Sequence, residues 1–269
     1  MKVQYIGKNY AGSQLQLEDG KPIDGLPTIQ GELEKALSTL IKISTSRGEP
    51  GNAEKYSRPI KAIFSGRTDK GVNSKGQIIH FDVEEPIVAS KFLYQMNEIL
   101  PDDISVEELR EVDEKFHAQK SAVRRHYRFE FINRRCKNAF DGDLMRVKFP
   151  INMERMQKSL NYLLGEHDFS SFKSSGTLNP SKVCTLTRVE CHKTDGDRII
   201  IDIEGNRFLY NMVRTIVGTL LQIEGHNLPP EHMKDVLEAK DRTKAGQTVS
   251  PYGLTLLEVT YKKYNGEKA

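Results

Sequence analysis

Hydrophobic patterning predicts an α+β protein, because segments of strand and helix period run twice in the order strand, helix, strand, strand, helix, strand. That order is the βαββαβ, or ferredoxin-like, unit. The predicted fold is therefore two such halves, residues 1–115 and 116–269, side by side with a cleft between them. A reversal of charge supports the boundary. From Asp82 to Glu114 there are eleven acidic residues against two basic ones, whereas from Lys115 to Lys137 there are eight basic residues against Glu130 alone. The duplication is one of element order, without a residue-level repeat.

The first half reads as strand 2–6, helix 28–43, strand 60–65, strand 77–83, helix 90–99 and strand 104–112. Ile29, Leu33, Ala36, Leu37, Leu40 and Ile41 recur at helical spacing, and Thr28 after Pro27 is a suitable N-cap. Ile79 and Phe81 alternate with His80 and Asp82, as on a half-buried strand. The second half reads as strand 126–132, helix 152–165, strands 183–192 and 198–204, helix 208–223, a short helix near 231–239, and strand 254–262. Tyr127, Phe129 and Phe131 alternate with His126, Arg128 and Glu130, and Ile199, Ile201 and Ile203 alternate in the same way. Asn152 precedes an amphipathic helix, Met153 to Leu163, that Gly165 should end. On the last long helix, Phe208, Met212, Ile216 and Leu220 form one stripe with Leu209, Val213, Val217 and Leu221 beside it. Arg214 falls just outside that band, as a snorkelling surface cation or as one with a specific partner.

Composition excludes several classes. Apolar residues are 37% and charged residues 29%, ordinary for a globular chain, and no apolar run approaches the ~18 residues of a membrane span. The N-terminus passes directly into a strand-like segment, without a secretory pattern. Cys136, Cys184 and Cys191 are too scattered for a disulfide framework, so a reducing compartment is expected: the cytoplasm, or an organelle if a transit segment is missing. The seven histidines lack zinc-type pairing. A net charge of +3 says little about partners. The basic run is either one solvated face or a phosphate-contacting strip, with Arg124, Arg125 and Arg128 around Tyr127.

Chemistry concentrates in Ile63-Phe64-Ser65-Gly66-Arg67-Thr68-Asp69-Lys70-Gly71-Val72. A short apolar strand enters a turn bracketed by two glycines, with a carboxylate between two cations. Gly66 and Gly71 permit unusual backbone angles and close approach. Arg67 and Lys70 would favour the ionised form of Asp69, which an Asp nucleophile requires. On spacing alone, an Asp in a glycine turn after a strand is more often an Asx-turn residue bonded to its own backbone than a nucleophile. A phosphate loop is excluded, since Val72 and Asn73 stand where Lys and Ser/Thr belong.

Gly66 to Val72 followed by Gly76-Gln77-Ile78-Ile79-His80-Phe81 resembles the central signature of the tRNA pseudouridine synthase A family. Four further segments resemble its other motifs in order: Phe116-His117-Ala118 with Arg125-His126-Tyr127-Arg128; His167 to Phe172; Phe208 to Gly218; and Asp241-Arg242-Thr243 with Ala245-Gly246 and Gly253-Leu254. The resemblance implies that Asp69 is the nucleophile, that Tyr127 stacks near the target base and assists proton transfer, and that Arg214 pairs with the catalytic carboxylate. It places Arg67 beside the target uridine, and Arg67, Lys70, Arg125 and Arg128 form the expected RNA-contacting set. It also implies halves sharing one extended, mostly antiparallel sheet, with helices on one face and a basic central cleft. A homodimer acting on the tRNA anticodon stem-loop is implied as well, although the apolar 208–223 helix is equally explained as monomer core. Isomerising uridine to pseudouridine is redox-neutral and needs no cofactor. Without the resemblance, Tyr127 reads equally as sheet core or as a base-stacking platform.

Three departures from the family bear on the RNA target more than on the chemistry. Ser13 stands where an aromatic is usual, Asn73 where His is common, and Lys70 where bacterial members often carry Ala. Two rival readings are a non-catalytic RNA-binding or RNA-chaperone protein on the same scaffold, and a metal-dependent phosphoryl hydrolase using Asp69.

Overall fold

The computed structural model describes residues 1–15, 17–18, 21–22, 25–46, 60–174, 181–194 and 196–262. They fall into two compact units: the described residues of Met1–Ala122 and Tyr261–Ala269, and Val123–Thr260.

The first unit contains β1 (Lys2–Tyr5), the hairpin strands β2 (Leu17–Glu18) and β3 (Lys21–Pro22), α1 (Ile29–Ser46), β4 (Ile63–Phe64), β5 (Asn73–His80), α2 (Ala89–Ile99) and β6 (Ile104–Val106). Its sheet runs β6-β1-β5-β4 with every pair antiparallel. The α1 helix starts where expected, because the Thr28 hydroxyl accepts from the Gly31 N–H at 3.1 Å. Its stripe of Ile29, Leu33 and Leu37 joins Phe92 and Met96 of α2 and Val3, Tyr5, Ile79 and Val106 of the sheet in one core. Each of those apolar side chains contributes about 1.5–3 kcal/mol of burial free energy.

The second unit contains β7 (Ala122–Asn133), β8 (Arg146–Val147), α3 (Met153–Asn161), β9 (Gly165–Asp168), β10 (Val183–Lys193), β11 (Arg198–Gly205), α4 (Met212–Gly225), α5 (His232–Ala239) and β12 (Leu254–Tyr261). Its strands lie in the order β12-β7-β11-β10-β9, with β8 parallel beside β7. The pleat sorts the side chains. Phe129, Phe131, Ile199, Ile201 and Ile203 are fully buried on one face. The opposite face carries His126 and Arg128 across from Glu204 and Asp202.

Several expected boundaries move, each for a local reason. The β5 strand begins at Asn73 rather than residue 77, because Ser74, Gln77 and Ile78 all pair with β1 directly after the glycine turn. The β6 strand ends at Val106, and the backbone bonds to β1 end two residues later, where Lys2 N–H donates to Glu108 C=O at 2.8 Å. The α3 helix is capped by Asn152, whose side chain accepts from Arg155 N–H at 3.0 Å, but it ends at Asn161. Gly165 opens β9 with φ of 96° instead of ending the helix. The α4 helix begins at Met212 rather than 208, because Asn211 has left-handed angles, φ 61° and ψ 8°. Phe208 therefore precedes the helix and does not belong to its stripe.

Candidate active site

The Gly66–Gly71 loop joins β4 to β5, with Asp69 half-buried and Arg67 and Lys70 exposed beside it. Gly71 has φ of 81°, so it needs glycine, whereas Gly66 has no such angle and nothing within 4 Å of where a Cβ would sit. The expectation of two conformationally required glycines thus holds for one. Gly66 instead leaves open space on its side of the loop.

What secures the loop is a buried polar network beneath it. The Ser13 hydroxyl accepts from Thr68 N–H at 2.8 Å, and Ser13 N–H donates to Thr68 C=O at 3.0 Å. The Tyr5 and Thr68 hydroxyls are 2.8 Å apart. Gln77 donates to Gly66 C=O at 2.9 Å and accepts from the Ser65 hydroxyl at 2.5 Å. Burial pushes the Tyr5 phenol up from its usual value against the opposing effect of these hydrogen bonds, so it stays a neutral strut. Gly12, with φ of 125°, lets the Ser13 segment approach, since a Cβ there would lie 3.0 Å from Thr68 C=O. Gly7 does the same after Asp69, where a Cβ would fall 2.1 Å from Val72 C=O. Sequence reading missed Ser13 as a clasp, because its signal was only the absence of an aromatic.

In the second unit, the segment from Asn206 to Asn211 between β11 and α4 touches three of the expected residues. Arg125 donates to Asn206 C=O at 2.7 Å. Tyr127, 9% exposed, meets Phe208 edge-on with ring centroids 5.0 Å apart. Arg214 donates from Nη1 to Asn211 Oδ1 at 2.7 Å and from Nε to Val249 C=O at 2.8 Å. Three groups of use to glycosyl chemistry are thus held in place: a carboxylate on a braced loop in the first unit, and a phenol and a guanidinium around one connecting segment in the second.

Residues 160–262 match the family model described as tRNA pseudouridine synthase, and residues 60–175 match one described as an uncharacterized protein conserved in bacteria. Proteins named tRNA pseudouridine synthase A are similar over nearly the whole chain. One from Thermoanaerobacter sp. is 38% identical over 264 residues, 96% of this chain and 97% of its own. The chain belongs to the tRNA pseudouridine synthase A family. Relatives from Bacillus subtilis (37% identical, 96% of this chain, 97% of theirs) and Buchnera aphidicola (40%, 96% and 90%) agree. Members of this family are pseudouridine synthases, isomerases of uridine to pseudouridine.

Within this synthase fold the pleat separates residues that the sequence grouped. Arg125 alternates onto the Tyr127 face, whereas Arg128 lies on the other face, cross-strand from Asp202. There Arg128 forks onto Asp202 through Nε and Nη2, both at 3.0 Å, and His126 Nε2 lies 2.8 Å from the same carboxylate. Glu204 alongside receives Arg124 at 3.3 Å and Arg188 at 3.1 Å. The Asp202 carboxylate is 1% exposed. Burial alone would raise its pKa, but the bonds from His126 and Arg128 and the Arg128 charge outweigh it and hold it at about 2.

A carboxyl depressed on folding stabilises the protein above its unfolded pKa, and that stability is lost as pH falls through the folded value. Wild type should therefore lose up to about 1.4 kcal/mol per pH unit at this site as pH drops from about 4 toward 2, less the screening around half-exposed Arg128. Urea midpoints of wild type and Asp202→Asn should differ at pH 6 and converge as pH falls from about 4 toward 2; a constant gap would reject the assignment.

Among the described residues, no group of three or more His, Cys, Asp or Glu is placed to hold a metal ion. Nor, among them, is any helix long and apolar enough to cross a membrane.

Proposed function

We propose that this protein isomerises uridine to pseudouridine in tRNA, at the anticodon stem-loop, with Asp69 as the nucleophile. The observation that carries the reading is 38% identity over 96% of the chain to a protein named for tRNA pseudouridine synthesis. Asp69 attacks the target nucleoside at the base or at the ribose anomeric carbon, and the N-glycosidic bond breaks. The uracil rotates and rebonds through carbon. Tyr127 or a water then takes the proton displaced from that carbon, the ring nitrogen freed from the ribose takes up a proton from water, and the Asp69 carboxylate is regenerated. Arg214 serves as the cation of the carboxylate. To be reached, the target base leaves its stack, and Arg67 braces the vacated position. Lys70 and Arg125 contact phosphate, and Arg128 does so through Nη1, the nitrogen its Asp202 fork does not use.

The strand orders β6-β1-β5-β4 and β12-β7-β11-β10 support the reading of each unit as a ferredoxin-like half. We extend the proposal to a homodimer working in the cytoplasm without a cofactor.

The test is pseudouridine formation in unmodified tRNA transcripts, with and without chelator, mapped by position. Chelator-insensitive product in the anticodon stem-loop is expected. Product elsewhere would move the target, and none on any tRNA would favour a binding-only role. Affinity should fall linearly on a log–log plot against salt, as phosphate contacts require.

A further inference from the structure

We propose that Asn211 is a positioning residue for Arg214, held in its working orientation by Ser174; the proposal rests on the reading of Arg214 as a site cation. Among the described residues, four other than glycine have positive φ: Asp197, Asn211, Asn227 and Lys240. Three of them sit where such angles are common. Asp197 lies in the turn between β10 and β11, Asn227 just after α4, and Lys240 at the C-cap of α5. Asn211 is different, because it occupies the N-cap of α4, where extended angles are the rule.

Asn is a favoured N-cap because its side-chain oxygen accepts from the first turn of the helix. Here it makes no such bond. The oxygen accepts instead from Arg214 Nη1 at 2.7 Å. The amide cannot be reversed without loss, since its nitrogen donates to the Ser174 hydroxyl at 3.0 Å. Ser174 is itself tied to the same segment, its N–H donating to Tyr210 C=O at 3.1 Å.

Both the backbone strain and the forgone cap are thus directed at the guanidinium. With Nε held by Val249 C=O, two of the three guanidinium nitrogens have fixed acceptors, and the planar group leaves Nη2 one direction. A cation aimed in advance adds to catalysis because no reorganisation is needed when charge develops.

Steady-state kinetics on tRNA and thermal melts of wild type, Asn211→Gly, Asn211→Asp, Arg214→Gln and the Gly/Gln double variant test the proposal. Glycine accepts the left-handed angles freely, which offsets part of the two lost side-chain bonds, so Asn211→Gly should stay folded and melt only a few degrees below wild type. Its kcat should fall about ten- to hundredfold, the size of one hydrogen bond to a charged group, with KM nearly unchanged. Asn211→Asp keeps the acceptor and should recover most of the loss. Adding Asn211→Gly to Arg214→Gln should cost nothing further, because both act through one group. Wild-type kcat in Asn211→Gly beside an inactive Arg214→Gln overturns the proposal and leaves the site reading intact. A fully active Arg214→Gln overturns the site reading, and the proposal with it.

Discussion

Asp69→Asn should lower pseudouridine formation on tRNA transcripts by at least about ten-thousandfold, the scale on which enzymes lose rate when a nucleophile is removed. The substitution is nearly isosteric. The bonds that shape the loop come from elsewhere: Thr68 backbone to Ser13, Gly66 C=O to Gln77, and Val72 N–H to the backbone C=O of Asp69. The fold and the affinity for RNA should therefore survive, so lost turnover would report on chemistry. Asp69→Glu sharpens the test. It keeps the charge but moves the carboxylate by about one bond length, and a misplacement of about 1 Å can cost a hundredfold. Glu should thus fall about a hundredfold below wild type and stay well above the Asn level. Activity retained by Asn would remove Asp69 from the reaction and leave the Asx-turn reading of the loop.

Gly218→Ala should destabilise the protein by about 3 kcal/mol or more, which is unusual for a single methyl group. In a solvent-facing helix the same change would stabilise by about 1 kcal/mol. The sign reverses because α4 lies backbone-to-backbone against the 245–249 segment. A Cβ on Gly218 would fall 1.7 Å from Gln247 C=O, and one on Gly246 would fall 2.4 Å from Gly218 C=O. Neither contact can be relieved by turning a side chain.

Three bonds along the same seam would be disturbed: Gly246 N–H to the Thr219 hydroxyl at 2.9 Å, Thr215 to Thr248 at 3.2 Å, and Arg214 Nε to Val249 C=O at 2.8 Å. The melting temperature should fall by roughly 6–12 °C, at about 2–4 °C per kcal/mol for chains of this size. Because Val249 holds Arg214, kcat should fall as well. A melting temperature equal to or above wild type would show that the seam yields.

Local rules settled much of the architecture. Thr28 and Asn152 each carry the side-chain oxygen that starts a helix, and both cap as their sequence context predicts. Alternation along Tyr127 to Phe131 and Ile199 to Ile203 marked two central strands, because one face of each had to be dry. Local rules also marked the Asp69 loop as unusual, since a carboxylate between two cations and two glycines is uncommon after an apolar strand. The family motifs then supplied the roles that composition and spacing left open.

Tertiary structure decided what depends on partners distant in the chain. Nothing near Ser13 says that it will clasp Thr68, 55 residues away. Nor does the basic run ending in Arg128 disclose that Asp202, 74 residues on, will occupy that guanidinium on the face opposite Tyr127. The start of α4 moved for a related reason: Asn211 is a plausible helix residue by propensity, but its bonds to Ser174 and Arg214 favour a left-handed backbone there. Propensity and periodicity act within a few residues. The hydrogen bonds that aim the site join segments brought together only when the sheet forms.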